Sequence, residues 1–317
     1  MEKQNRIGLA LACVAWLGAA GAQAQTVTTA LGTDWFFTTN GGTDAGAFSG
    51  SCSASAGVLL SDANTADGDG DMYDNAWGIW VDGTPLSGAL SISGSIATVA
   101  PQTLSGLSVS SEYRFSDTIE AFRLLASFTN PTGSPISVTV EVPANFGSDS
   151  NTTLVSTSSG DATFDLGDNW AQTWDASSEI NTSVFYLPGA GLTPSSYTQT
   201  VFNCAGTQGL GATFALTVPA NSTRRLMFFA GIGEIDGSGS TDTANATANA
   251  QQFNSFETID SSLTAGISPA EASEIVNATA TATEQPAAPI PVLPLPLLVL
   301  LAGGLGSLGL RRLSIRR

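Results

Sequence analysis

Between residues 25 and 283, short runs of β-branched and apolar residues alternate with clusters of Gly, Asn, Asp, Ser and Pro. This alternation is typical of strands joined by turns, and it predicts an all-β domain. We expect the domain to be a β-sandwich or supersandwich, with two hairpins built from its strongest runs. The first hairpin would pair Glu120–Thr129 with Ile136–Val142, and the second would pair Ala212–Val218 with Arg224–Gly231.

The C-terminal part of residues 25–283, the segment called the body below, has a different composition, which predicts minor C-terminal helices. Asp242–Phe256 is rich in Ala, Asn and Gln. Ser268-Pro269-Ala270-Glu271 matches a capping box with proline at the first helical position, and it predicts a helix to about Ala278. A Pro-rich linker of small residues follows at 284–294.

The distribution of charge restricts the classes of partner. From Gln25 to Leu310 the chain has only four basic residues, all arginines, against 26 acidic residues. Such an excess repels phosphate backbones, so we expect no nucleic acid among the partners. The chain has no histidine, which excludes a Ser-His-Asp hydrolase and a His-ligated zinc site. We expect the arginines to neutralise carboxylates in or beside strands; they are Arg114, Arg123, Arg224 and Arg225.

Residues 1–24 have the parts of a secretory signal peptide. A positive segment precedes the apolar run Ile7–Ala20 and the small-residue cleavage site Ala22-Gln23-Ala24. We expect export through the Sec translocon and cleavage between Ala24 and Gln25. The alternative is an uncleaved N-terminal anchor, although the apolar run is shorter than the ~20 residues that span a bilayer.

Residues 295–317 predict a single C-terminal transmembrane helix followed by arginines. No charged residue lies between Pro286 and Leu310. A helix from residue 295 to residue 310 would be about 24 Å long, which is short for a hydrocarbon core of ~30 Å. Because arginines after such a helix stay cytoplasmic, the acidic body would lie outside the inner membrane.

A proline-rich start, a short apolar helix and a terminal arginine cluster make this tail similar to the sorting tails of the PEP-CTERM class, in its VPLPA- and IPTL-like variants. The residues that carry the resemblance are Pro291, Pro294, Pro296, Arg311 and Arg312. The resemblance implies cleavage by an exosortase-type membrane protease after a transient stay in the inner membrane. The product would reach the cell surface or the extracellular space. The alternative is a permanent anchor that is never cut.

The cysteines predict one disulfide. Cys13 leaves with the signal peptide, which leaves Cys52 and Cys204 as an even pair. In an oxidising compartment two remaining thiols usually pair. The alternative is two distant buried thiols.

The acidic stretch Asp67-Gly68-Asp69-Gly70-Asp71, with Asp74 close behind, predicts a Ca²⁺ site. Alternating aspartates let a turning loop surround a hard cation with oxygen ligands. The stretch resembles the first half of the Asp-x-Asp-x-Asp-Gly calcium loops. Met72 stands where the turn glycine belongs, and the glutamate of the twelfth position is absent. The alternative is a solvated acidic turn.

Several aromatic residues lie beside carboxylates, as on surfaces that bind or cleave sugars. A pair of Asp or Glu residues is sufficient for glycoside hydrolysis without histidine. The alternative is that the rings belong to the core, which is commoner for aromatic residues in strands. The rings are those of Trp35, Phe36, Phe37, Tyr73, Trp77, Trp80, Trp170 and Trp174.

These observations favour an exported structural or adhesion protein of the cell surface or extracellular matrix, without enzymatic activity. Phe128-Thr129-Asn130 and Asp168-Asn169-Trp170 make the body similar to sandwich modules of bacterial surface proteins, which implies the fold but no activity. The alternatives are a calcium-dependent carbohydrate-binding module that recognises extracellular polysaccharide, and a glycan-active enzyme with an Asp/Glu pair. A groove with exposed tryptophans and two carboxylates roughly 5–10 Å apart would favour the enzyme. Buried rings would favour the structural protein.

Overall fold

The computed structural model describes residues 25–39, 57–66, 70–175, 179–199, 208–233 and 239–283. Within these ranges the protein is mainly β, with a few short helices near the C-terminal end. The prediction of a β-rich body with minor C-terminal helices is therefore confirmed. The strands are β1 Gln25–Thr28, β2 Asp34–Thr38, β3 Leu59–Asn64, β4 Trp80–Val81, β5 Thr84–Pro85, β6 Leu90–Ser93, β7 Ile96–Leu104, β8 Leu107–Phe115, β9 Ala121–Asn130, β10 Ile136–Asn145, β11 Thr153–Thr157, β12 Trp170–Asp175, β13 Glu179–Val184, β14 Ser196–Thr198, β15 Gly209–Val218 and β16 Ser222–Gly233, and the α-helices are α1 Gly239–Ala250, α2 Ser261–Thr264 and α3 Pro269–Glu274.

The strands form three sheets. A small sheet has the order β1-β2-β3, and a five-stranded sheet has the order β14-β15-β10-β4-β5. The largest sheet has eight strands in the order β11-β12-β13-β16-β9-β8-β7-β6. Alternating apolar residues explain how they pack: Val109 and Tyr113 of β8, Phe122 of β9 and Val140 of β10 all belong to one buried cluster that both larger sheets share.

A helical layer covers the other face of the eight-stranded sheet. Leu125 of β9 and Met227 of β16 belong to a second buried cluster, together with Phe253 and Leu263 from the C-terminal part of the chain. Both faces of these central strands are therefore buried, and their runs are almost continuously apolar for that reason.

Both predicted hairpins are wrong. Strand β9 pairs with β8 and β16, whereas β10 pairs with β15 and β4. The two turns therefore carry the chain from one large sheet to the other. Buried Asn130 stabilises the first crossing, because its amide donates to the carbonyl oxygens of Ser134 (2.8 Å) and Val218 (3.0 Å).

The C-terminal capping box is confirmed, although its helix is shorter than predicted. The Ser268 hydroxyl accepts from the Glu271 backbone N–H, and the Glu271 carboxylate accepts from the Ser268 N–H. Helix α3 nevertheless ends at Glu274, and Ile275 forms an isolated parallel bridge with Arg225. Pairing with the edge of β16 therefore replaces the last predicted helical turn.

Several sequence predictions lie outside the described residues. These are the signal peptide up to Ala24, both cysteines of the expected disulfide, two acids of the predicted calcium loop, and everything after residue 283. Among the described residues no helix is long and apolar enough to cross a membrane. The residues concerned are Ala24, Cys52, Cys204, Asp67, Asp69, Pro291, Pro294, Pro296, Arg311 and Arg312.

Candidate functional site

The second half of the predicted calcium loop packs against β3 and the inside of the body. The Oδ1 atom of Asp62 accepts the backbone N–H groups of Ala63 (2.7 Å) and Met72 (3.1 Å). Burial raises the pKa of Asp62, and the nearby charge of Asp71 adds to this effect, whereas the backbone hydrogen bonds oppose it. Asp71 thus lies close to a second carboxylate.

This loop has an unusual backbone. Asp71 (φ 67°) and Asn75 (φ 68°) are in the left-handed region, which Asp and Asn tolerate better than most residues. Trp77 (φ 59°) is also left-handed, where a bulky side chain is strained. Two contacts hold Trp77 in this conformation. The Tyr113 hydroxyl donates to the Trp77 carbonyl (2.7 Å), and the Trp77 indole stacks on the Phe185 ring with centroids 5.6 Å apart.

Gly147 brings the loop and the end of β10 into contact. A Cβ atom at this position would lie 1.5 Å from the carbonyl oxygen of Asp71, so only glycine fits. The close approach also places Ser148, the next residue, beside Glu179 at the start of β13. The Ser148 backbone N–H donates to Glu179 Oε1 over 2.6 Å.

Glu179 is the most perturbed carboxyl group of this region. Its side chain is 1% exposed. Burial raises its pKa to about 8; the charges of Asp71 and Asp175 act in the same direction, whereas the hydrogen bonds from Ser148 oppose the shift. The carboxyl is therefore largely protonated at neutral pH unless a cation compensates its charge.

The sheet face that carries Glu179 also carries buried oxygens without partners. Asn181 Oδ1, Thr173 Oγ1 and Ser183 Oγ have no hydrogen-bond partner within the described protein. Asn181 and Thr173 are opposite each other in the β12–β13 pair, and the Asn181 amide nitrogen lies 3.4 Å from Glu179 Oε1. Buried polar atoms of this kind are normally satisfied by ordered water or by an ion.

The structure thus brings Asp71 of the predicted calcium loop to Glu179, an acid that sequence reasoning missed. Asp74 lies nearby, where its backbone carbonyl accepts from the Asn145 amide (2.7 Å). Among the described residues, no group of three or more Asp, Glu, His or Cys side chains is arranged to hold a metal ion. The alternation of polar Glu179 and Asn181 with apolar Ile180 could have predicted a strand with one polar and one apolar face. It could not have predicted that the polar face is buried.

Most of the aromatic rings considered for a sugar-binding surface belong to the core. Four tryptophans are at most 2% exposed, and Trp174 is half-buried. Trp35 packs edge-on against Phe122 with ring centroids 5.4 Å apart. The alternative interpretation, that these rings are core residues, is therefore confirmed for the four buried ones, which are Trp35, Trp77, Trp80 and Trp170.

Three of the four arginines of the body form ion pairs, as predicted. Arg123, which is 1% exposed, contacts Glu112 at 2.8 Å and also donates to the carbonyl oxygen of Leu263 (2.8 Å). Arg114 lies 3.7 Å from the same glutamate. Arg225 pairs with Glu274 at 2.8 Å. Arg224 has no ion pair within the described protein, contrary to the prediction.

A surface groove of about 260 Å³ contains two carboxylates, those of Glu112 and Glu271. Arg225 lines the same groove, and its guanidinium lies 3.5 Å from the Glu271 carboxylate. Burial raises the pKa of Glu271, but hydrogen bonds from Ser268 and the charges of Arg225 and Arg123 outweigh it and leave the pKa lowered. A carboxyl group in this state is a poor proton donor, unlike the general acid of a glycosidase.

No protein-family model and no curated protein matches the chain. Among solved structures, it is similar to one described as a kojibiose phosphorylase from the human microbiome, with TM-score 0.41 and 11% identity over 72% of this chain and 33% of that one. It is also similar to a galactose mutarotase-like protein from Lactobacillus casei, with TM-score 0.41 and 9% identity over 67% of this chain and 100% of that one. A third is the heparan sulfate lyase HepC from Pedobacter heparinus, with TM-score 0.35 and 8% identity over 68% of this chain and 37% of that one. The chain thus spans about a third of the phosphorylase.

Proposed function

We propose that this protein is an exported structural or adhesion protein of the cell surface or extracellular matrix. It is delivered by residues 1–24 and sorted through the tail 295–317, with an exosortase-type protease and extracellular polysaccharide as partners. The two larger sheets form the supersandwich of its body. The observation that carries the non-enzymatic part is the burial of four of the five tryptophans that the structure describes, since rings inside the core cannot stack on a sugar.

The states of the carboxyl groups also support a role without catalysis. A glycosidase needs an accessible acid whose pKa is raised, next to an ionised partner. Glu179 has the raised pKa but is 1% exposed. Glu271 lines an open groove but has a lowered pKa. The raised pKa and the accessible position therefore belong to different residues.

Terminal peptides of the secreted protein test this proposal. We expect the extracellular form to begin at Gln25 and to lack residues after about position 295. The double variant Arg311→Ala/Arg312→Ala keeps the signal peptide and should lose the C-terminal cut. A full-length species confined to the inner membrane, or an unprocessed cytosolic species, would contradict the proposal.

A second proposal concerns Ca²⁺, for which the predicted ligands Asp67, Asp69, Asp71 and Asp74 would be joined by Glu179 at the start of β13. The observation that favours it is the buried Asn181 Oδ1 atom, which has no hydrogen-bond partner among the described residues, while the amide nitrogen of the same side chain lies 3.4 Å from Glu179 Oε1. Carboxylate and amide oxygens are the ligands that Ca²⁺ prefers. Glu179 would supply the glutamate that the loop itself lacks.

Calcium should therefore raise the melting temperature of the segment 25–283. A site of sub-millimolar affinity at saturating Ca²⁺ contributes about 1–3 kcal/mol, which corresponds to roughly 2–6 °C in a domain of this size. Asp71→Asn preserves the left-handed backbone and should remove most of the shift, whereas Glu257→Gln, a change at an exposed acid, should not. Equal shifts in both variants, or none in the wild type, would refute the site.

A further inference from the structure

Arg224 is the exception among the arginines of an acidic body. Arg114, Arg123 and Arg225 all contact glutamates. Arg224 is half-buried at the start of β16 and has neither an ion pair nor a side-chain hydrogen bond within the described protein. Between Gln25 and Leu310 the chain has 26 acidic residues, yet none of those that the structure describes forms an ion pair with Arg224. Within the described protein its guanidinium is therefore available to another anion.

The side chain of Arg224 lines a groove of about 560 Å³. Neighbouring residues of a strand point to opposite faces of the sheet. Arg225 lies on the side of α3, where it pairs with Glu274. Arg224 therefore lies on the other side, at the edge of the space between the two larger sheets, where Leu216 of β15 also lines the groove.

The groove walls are held together by backbone hydrogen bonds. The Leu192 N–H donates to the Val276 carbonyl (2.9 Å), and the Leu187 N–H donates to the Asn277 carbonyl (3.0 Å). Gly189 is in the left-handed region (φ 84°), and a Cβ atom there would lie 3.0 Å from Thr279 Oγ1. The groove therefore exists before any ligand binds, which lowers the entropic cost of binding.

The chemistry of the lining is one cation and an apolar wall. Leu192 and Val276 are the half-buried aliphatic side chains of the lining, and Leu216 and Ile275 are almost fully buried. Thr217 and Thr279 add hydroxyl groups, and none of the described residues that line the groove is acidic. Its volume is in the range of small-molecule sites. A carboxylate suits a half-buried guanidinium, because the charge-assisted hydrogen bonds between them are stronger than neutral ones.

We propose that this groove binds a small organic anion, in which a carboxylate contacts Arg224 and an apolar body lies on the aliphatic wall. Binding in this groove depends on neither export nor Ca²⁺. The groove is separate from the acidic loop and from the groove of Glu112 and Glu271.

Sodium hexanoate is a suitable probe, and its binding to the purified protein can be followed by NMR chemical-shift titration. We expect saturable shifts of the Gly189, Gly191 and Thr279 amide signals. Arg224→Gln should weaken binding about tenfold or more. Arg114→Gln removes the same charge from the body outside the groove and should leave the affinity unchanged.

Two further ligands separate the parts of the proposal. 1-Hexanol has the same apolar chain without the carboxylate and should bind much more weakly than hexanoate. Sodium galacturonate has a carboxylate on a hydroxyl-rich body and should also bind more weakly. Equal binding of hexanol, tighter binding of galacturonate, or unchanged affinity in the Arg224 variant would overturn the assignment.

Discussion

Replacing Asn277 with alanine should lower the free energy of unfolding by about 3–5 kcal/mol. Asn277 is fully buried, and its amide donates to the carbonyl oxygens of Phe185 (3.0 Å) and Met227 (2.8 Å) while its Oδ1 atom accepts the Met227 N–H (2.8 Å). The substitution leaves three buried backbone groups without partners, and each costs about 1–3 kcal/mol. Because native domains are stable by only about 5–15 kcal/mol, this is a large fraction of the total.

Urea unfolding of the segment 25–283, followed by tryptophan fluorescence, measures this loss directly. Asn151→Ala is the matched control, since Asn151 is exposed and its side chain makes no hydrogen bond with any residue that the structure describes. We expect the control to stay within about 0.5 kcal/mol of the wild type. A loss of unfolding free energy below about 1 kcal/mol for Asn277→Ala would contradict this description. It would show that Asn277 does not link Met227 of β16 to Phe185, the residue after β13.

The second large effect concerns the pH dependence of stability. The pKa of Glu179 is about 8 in the folded protein, above its ordinary value of 4.5. Between these values the folded state holds a proton that the unfolded state has released, so stability falls as pH rises through the window. In EDTA, we expect the wild type to lose on the order of 3 kcal/mol between pH 5 and pH 9.

Glu179→Gln removes this titration and retains an oxygen that accepts the Ser148 N–H. Its stability should be close to that of the wild type at pH 5 and greater by on the order of 3 kcal/mol at pH 9. The absence of histidine makes the comparison clear, because no imidazole titrates in the same range. Glu257→Gln should follow the wild-type curve. Parallel curves for the wild type and Glu179→Gln would contradict the burial of an uncompensated carboxyl group.

The sequence predicted the strands better than their partners. Runs such as Glu120–Thr129 and Ile136–Val142 correspond closely to β9 and β10, because apolar periodicity and turn residues act locally. The pairing of these strands depends on which sheet buries each face. A short turn at Asn130 is compatible with a hairpin and with a crossing between sheets, so the turn residues do not distinguish the two. The capping box at Ser268 was predictable because its hydrogen bonds lie within four residues.

Only the part of the candidate site that belongs to one short sequence motif was predictable. Asp71 and Asp74 belong to a sequence motif, whereas Glu179 reaches the same region through the close approach of Gly147 to Asp71. Nothing in the order of residues indicates that Gly147 contacts Asp71, which lies 76 positions earlier in the chain. The aromatic residues raised the opposite difficulty, because rings beside carboxylates look alike in a core and on a sugar-binding surface until their burial is known.

In the proposed topology the acidic body lies outside the inner membrane. Reporter fusions after Gln285 test it most directly, with a phosphatase that is active only in the periplasm and a fluorescent protein that matures only in the cytosol. We expect phosphatase activity and no fluorescence, and both signals should reverse when residues 1–24 are deleted. Fluorescence from the full-length fusion, without phosphatase activity, would contradict the account.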